Sequence, residues 1–189
     1  MSAANRYRQL PSGPRSIGFE LQAPSAVELE RTGDRVRCSE RRPDGKPVGE
    51  LEVSVFRAAL VIDRDGILEE KVRAACDNVA TEGSRVLATI PVKLRGASGY
   101  RAEVELVRRS LAEPVPALPY VRVLAIAPND LGVDGGVVVT VRCASPEWPA
   151  ADQILRSLRL LGRNGGASAN EESGPIAAPP LLPLIGDDD

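Results

Sequence analysis

Apolar and polar residues alternate along much of this chain, and a period of two predicts strands. The first such run, IGFELQAP, begins at Ile17. A longer run follows it, and turn residues at Thr32-Gly33-Asp34 and Pro43-Asp44-Gly45 divide that run into further strands. Later runs with the same period are SRVLATIPVKL, YRAEVELVRR, YVRVLAIAP and GVVVTVRCAS. Because YVRVLAIAP is apolar almost throughout, we expect it inside the sheet.

Two segments have the period of a helix. In GILEEKVRAACDNVATEG, apolar residues recur every three or four positions and form one helical stripe. Asp65 is the candidate N-cap of this helix, and Gly83 follows its predicted end. In SPEWPAADQILRSLRLLG the candidate cap is Ser145, and we expect this second helix to continue through Leu161 and stop at Gly162.

The order of these elements predicts the fold class. Several strands precede the first helix, about four more follow it, and the second helix closes the domain. Short connections favour an α+β fold, with a mostly antiparallel, twisted sheet of about six or seven strands and two main helices packed on it. We predict a flexible basic lead over residues 1–16, a single domain over 17–162, and a disordered acidic tail over 163–189 with an apolar, proline-rich end.

Composition and charge narrow the function. Of the 189 residues 43% are hydrophobic and only 3% are aromatic, so we expect an aliphatic core. The net charge of -2 combines a basic start with an acidic tail and leaves the body near neutral, which argues against nucleic acid as a partner. Since the chain has no long apolar run and no apolar signal region at its start, we expect a cytoplasmic protein with no membrane insertion.

The residues that usually carry chemistry are scarce. The chain has no histidine, which removes the commonest general base and the commonest metal ligand. The three cysteines, Cys38, Cys76 and Cys143, lie far apart in strand or helix patterns, so we interpret them as buried structural thiols in a reducing compartment. We predict no catalytic residue, no metal ligand and no cofactor, and we do not expect an enzyme.

Two features are candidates for binding a partner. Trp148, the only tryptophan, either anchors the second helix to the sheet or lies on a recognition surface. The segment APPLLPLIGDDD places large aliphatic residues between prolines and three aspartates; it is either a disordered end or an extended segment that docks on a partner, on a shell or on the protein's own sheet. The predicted partner-binding residues are Trp148, Leu181, Leu182, Leu184, Ile185, Asp187, Asp188 and Asp189.

Several segments resemble the Mog1/PsbP-like superfamily. They are the opening strand IGFELQAPSAVEL, the helix LEEKVRAACDNV with the strand pair VLATIPVKLRGASGYRAEVEL after it, and the closing VVVTVRCASPEWPAADQILRSLRLL. The step Gly96-Ala97-Ser98-Gly99-Tyr100-Arg101 is similar to the family's G-x-x-x-Y step, and Ile154 to Leu160 is similar to its final ILxSxxL run. The resemblance covers roughly residues 17–161 and includes the bacterial lipoprotein and secretion-chaperone branches. Because the sequence shows no export signal or lipidation cysteine, the cytoplasmic binding branches are the better analogy.

The resemblance implies a non-catalytic protein-binding module. In the cytoplasm this would be an adaptor or a chaperone, for a secretion-system effector or within a larger assembly, with a protein as partner. One alternative is a small-molecule or lipid carrier with an apolar cavity between the sheet and the first helix. Another is a structural subunit of a larger assembly. The oligomeric state stays open among these alternatives.

Overall fold

The computed structural model describes residues 5–13, 15–60, 62–80, 84–94, 96–106, 116–129 and 133–162. Within these ranges the chain forms ten strands and two helices. The strands are β1 Asn5–Gln9, β2 Gly18–Ala23, β3 Glu28–Thr32, β4 Arg35–Arg41, β5 Pro47–Phe56, β6 Arg85–Leu94, β7 Ala97–Glu105, β8 Tyr120–Pro128, β9 Gly136–Cys143 and β10 Arg159–Leu161. The helices are α1 Arg64–Val79 and α2 Pro149–Ser157.

The strands form two sheets in which every described pair is antiparallel. The larger sheet has seven strands in the order β3-β4-β5-β9-β8-β7-β6, and the smaller has three in the order β1-β2-β10. β8 lies inside the larger sheet, as its apolar sequence predicts. The α+β class is confirmed, with the strands divided between two sheets.

Each face of the seven-stranded sheet carries its own core. On one face, which we call the first face, β2 and α2 pack on β4, β5 and β9 through residues such as Phe19, Val53 and Ile154. On the other face α1 packs on β7 and β8 through residues such as Leu68 and Val123. Two layers therefore cover the sheet, one on each side.

The layer beneath α1 is where a carrier would hold its ligand. Leu68 and Val72 have no exposed surface and Cys76 is 1% exposed. They belong to one cluster with Ala102 and Val104 of β7. Among the described residues, these side chains occupy the layer in which the carrier interpretation expects a cavity.

The beginning of the chain differs from the prediction. Residues Asn5–Gln9 form β1, which pairs with β2 over its whole length. The ring of Tyr7 lies 5.6 Å from that of Phe19, and Arg6 forms an ion pair of 2.8 Å with Glu20. The prediction of a flexible lead is therefore wrong for this stretch. The Asn-Arg-Tyr-Arg-Gln run forms a strand because it hydrogen-bonds to the edge of β2.

Helix α1 is predicted correctly but begins at a different cap. The N-cap is Asp63, whose carboxylate accepts a hydrogen bond of 3.0 Å from the backbone N–H of Gly66. Asp65 lies inside the first turn, where its negative charge favours the positive end of the helix. The C-cap is Ala80. The predicted stop, Gly83, is outside the described residues.

Helix α2 is shorter than predicted. Trp148 is its N-cap, Pro149 is the first helical residue, and Ser145 lies upstream. The helix ends at Ser157, and the next residues form β10, which pairs with β2 on the side opposite β1. The prediction that the helix runs to Gly162 is wrong, because hydrogen bonding to β2 takes over after Ser157.

Trp148 fixes the start of α2 to the sheet. Its side chain is buried, and Nε1–H donates a hydrogen bond of 2.6 Å to the Glu40 carboxylate. The indole lies directly over Gly49 of β5, where a Cβ atom would come within 2.4 Å of the ring carbon Cδ2. Only a glycine at position 49 leaves room for the ring.

This contact predicts the effect of one methyl group. Gly49→Ala should lower the free energy of unfolding by about 1–3 kcal/mol, because the ring has no space to move into without disturbing the core. Gly13→Ala is the matched control, since the nearest atom to its new Cβ is 3.9 Å away. Urea denaturation of both variants measures the difference, and equal stabilities would contradict the packing described.

Candidate functional site: the β6 edge and the outer patch

The strand β6 exposes apolar side chains at one edge of the larger sheet. Val86 and Leu87 are each 44% exposed, and Ala88 and Thr89 are exposed as well. The other edge strand, β3, exposes mainly charged residues (ELERT). We call the exposed side of Arg85–Leu94 the β6 edge.

In the described part of the chain, no strand pairs with the outer side of β6, so its backbone has free hydrogen-bonding groups there. Pro91 pairs with Tyr100 of β7 and has no N–H, so this pair is of the type that makes no hydrogen bonds within the sheet. By the alternation of antiparallel pairs, the N–H groups of Thr89 and Lys93 then point away from β7. A bulge between Val86 and Ala88 leaves Leu87 out of register.

Next to this edge, the first face of the sheet is partly polar. Arg101 of β7 lies directly between Ile90 of β6 and Leu124 of β8. One step along the strand on the same face, Glu103 lies between Ala88 and Arg122. We call this group the outer patch; it consists of Ala88, Ile90, Arg101, Glu103, Arg122 and Leu124.

Two side-chain atoms of the outer patch are buried and have no hydrogen-bond partner among the described residues. Arg101 is 9% exposed, and its Nη1 is buried without an acceptor. Oε1 of Glu103 is likewise buried without a donor. An unpaired buried group of this kind costs about 1–3 kcal/mol, and more when it is charged, so native proteins contain few of them.

Arg122 on β8 is the residue of the outer patch that contacts α2. Its guanidinium lies 3.7 Å from the carboxylate of Asp152 on α2, and its side chain is 14% exposed. Arg101 lies one strand further from the centre of the sheet, about 4.8 Å beyond β8. The polar side chains of the outer patch therefore lie just beyond the part of the sheet on which α2 packs.

The predicted binding residues are not brought to this patch. Trp148 is 3% exposed and packs in the core on the first face. The prediction that it binds a partner is therefore wrong, and its role is to anchor α2 to the sheet. An indole enclosed by Glu40 and Gly49 presents no surface to a partner. Leu181, Leu182, Leu184, Ile185, Asp187, Asp188 and Asp189 lie outside the described residues.

The thiols are unsuited to nucleophilic chemistry at neutral pH. All three cysteines are free and buried. Burial raises the pKa of Cys38 to about 12, and burial is also the main reason why the pKa values of Cys76 and Cys143 rise to about 11. In the part of the chain that the structure describes, no group of three or more histidine, cysteine or acidic side chains could hold a metal ion.

The sequence indicates which residues of the outer patch share a face of β7, but not that they are buried. The alternation in YRAEVELVRR places Arg101 and Glu103 on the same side of a strand, opposite Ala102 and Val104. A polar side of a strand normally faces water, however. Only the pairing with β6 and β8 shows that Arg101 is buried between two aliphatic side chains.

The chain is similar to a solved structure at low sequence identity. No family model matches the chain, and no curated protein matches it. Among solved structures, the Ran-binding protein Mog1p of Saccharomyces cerevisiae is similar with a TM-score of 0.48 and 14% sequence identity, over 84% of this chain and 96% of that chain. No helix among the described residues is long and apolar enough to cross a membrane.

The buried thiols predict a pH dependence of stability. Because the pKa of Cys38 rises from 9.0 to about 12 on folding, the unfolded chain binds fewer protons than the folded protein between these values. The free energy of unfolding should therefore be intact below pH 9 and fall above it, by up to about 1.4 kcal/mol per pH unit from this thiol. Urea denaturation from pH 8 to 11 in reductant measures the slope.

Cys38→Ala provides the control for this slope. The variant loses some stability at every pH through the smaller side chain, but its decline above pH 9 should be shallower than that of the unmodified protein. Since Cys76 and Cys143 remain, the difference between the slopes belongs to Cys38. Parallel curves would show that this thiol ionises equally readily in both states.

Proposed function

We propose that the chain is a non-catalytic protein-binding module that receives an extended segment of a partner protein at the β6 edge. The observation that supports this proposal is the combination of free backbone groups with exposed Val86 and Leu87 on one edge strand. A strand added there gains backbone hydrogen bonds, and its side chains gain apolar contact. Natural proteins usually protect an exposed edge strand with charges, prolines or a covering segment, so an apolar and uncovered edge is a candidate binding surface.

Pro91 limits where such a segment can pair. It offers a carbonyl oxygen but no N–H to an added strand, and Lys93 beyond it adds a charge. The first half of β6, from Arg85 to Ile90, is the favoured place for pairing. Arg85 is itself engaged by Glu105 at 2.9 Å, which leaves the apolar residues after it to contact the partner.

Within this class we favour a cytoplasmic adaptor or chaperone. Three free, buried thiols are consistent with a reducing compartment. The absence of histidine from the sequence and the raised pKa values of the thiols support a non-catalytic role. A secretion-system effector as the client stays a prediction from the family resemblance.

Site-specific photo-cross-linking tests the β6 edge. With benzoylphenylalanine at Thr89, illumination in the native host should give one cross-linked protein adduct. The same group at Glu30, on the opposite edge strand β3, should not give that adduct. Purification of the adduct then identifies the partner for affinity measurements.

A pair of leucine variants gives the quantitative test. Leu87→Glu should weaken the affinity for this partner at least about tenfold, because it removes apolar contact and introduces a charge. Leu10→Glu is the matched control, since Leu10 is 60% exposed and lies outside β6. Equal adducts at Thr89 and Glu30, or an unchanged affinity of Leu87→Glu, would refute the proposal.

A further inference from the structure

The unpaired groups of the outer patch define what would complete it. Arg101 Nη1 requires an oxygen acceptor, and a carboxylate is the strongest acceptor for a guanidinium. Glu103 Oε1 requires an N–H or O–H donor. Ile90 and Leu124 on either side of Arg101 are only half-buried and can take further apolar contact. A peptide with an acidic side chain beside aliphatic ones meets all three requirements.

The chain contains such a peptide. Residues 181–189, LLPLIGDDD, combine four large aliphatic side chains with three aspartates. Proline at positions 179, 180 and 183 favours an extended shape, which loses little entropy on binding. Its backbone N–H groups after Pro183 can serve as donors to a carboxylate such as that of Glu103.

The connection is long enough to reach the patch. The last described residue, Gly162, follows β10 in the smaller sheet, which packs on the first face of the larger one. Residues 163–180 can span up to about 60 Å when extended. Neighbouring strands are about 4.8 Å apart and stacked sheets about 10 Å, so the distance to be bridged is well within this length.

We propose that residues 181–189 dock on the outer patch of the same molecule. A carboxylate among Asp187, Asp188 and Asp189 accepts a hydrogen bond from Arg101, and a backbone N–H of the segment donates to Glu103. The aliphatic side chains cover Ile90 and Leu124. Docking does not rest on the partner proposed for the β6 edge, because it concerns the face of the sheet and requires no second protein, although both surfaces include Ala88 and Ile90.

The charges of the patch favour Arg101 as the recognition point. Arg122 already has Asp152 as a partner at 3.7 Å, whereas Nη1 of Arg101 is buried without an acceptor among the described residues. Glu103 repels a second carboxylate close to it, so the aspartate should lie on the side of Arg101 that faces Gly99, two residues along β7 in the direction away from Glu103. The competing account is a single water molecule that bridges Arg101 and Glu103 without any docked peptide.

A spin label distinguishes these accounts in the full-length protein. Gly186→Cys introduces one accessible thiol, which can be labelled selectively because Cys38, Cys76 and Cys143 are buried. Docking should broaden the backbone amide resonances of Ile90, Arg101 and Leu124 and leave those of β3 sharp. The broadening should be the same at 50 μM and 500 μM protein, as expected for contact within one molecule.

Matched arginine variants test the role of Arg101. Arg101→Met keeps an apolar stem but removes the donor, and it should abolish the broadening. Arg37→Met, at a 52% exposed arginine on β4, should leave the broadening unchanged. Asn at all three positions 187, 188 and 189 should have the same effect as Arg101→Met, since it removes the acceptor charges.

Each other outcome overturns the proposal. Sharp resonances throughout β6, β7 and β8 would show that the segment does not dock there and would favour the bridging water. Broadening that grows with protein concentration would assign the segment to a second copy of the chain. Broadening that persists in Arg101→Met would separate docking from Arg101. None of these results bears on cross-linking at Thr89, so the two proposals can fail independently.

Discussion

The structure depends on the seven-stranded sheet, whose central strands are buried on both faces. Its central strands must be apolar at odd and even positions alike, because one set contacts β2 and α2 while the other contacts α1. In β9, Val137 and Val139 belong to the first core, and Val138 between them packs against the second. In β8, Val123 and Leu124 divide in the same way. The nearly continuous valine run of β9 is the direct result of this constraint.

The same constraint explains where polar residues return. Away from the centre only one face keeps a full cover, so β7 is apolar toward α1 and polar on the first face. Arg101 is the exception, since it is polar and yet nine-tenths buried. Its position, one strand beyond the ion pair between Arg122 and Asp152, places an unmet hydrogen-bonding requirement at the boundary between covered and uncovered sheet. Unpaired buried groups of this kind are uncommon in native proteins.

Element types could be predicted from the sequence because periods of two and of three to four are local properties. Pairing could not be predicted in the same way. The spacing of Leu155, Leu158 and Leu161 suits a helix, but the structure ends the helix at Ser157, whose hydroxyl accepts a hydrogen bond of 2.8 Å from Gln22 of β2. Tertiary pairing overrides local preference there, as it does at β1. The burial of Arg101 likewise depends on strand register, which no single segment encodes.

The smaller sheet has a consequence for the order of folding. Its central strand, β2, holds β1 on one side and β10 on the other, and the register joins Gly18 to Leu161, nearly the two ends of the described domain. Closing so long a loop is entropically costly until the larger sheet has brought the ends together. The pairing of β10 with β2 should therefore form last, and it should also be the first pairing of the smaller sheet to open when the native state fluctuates.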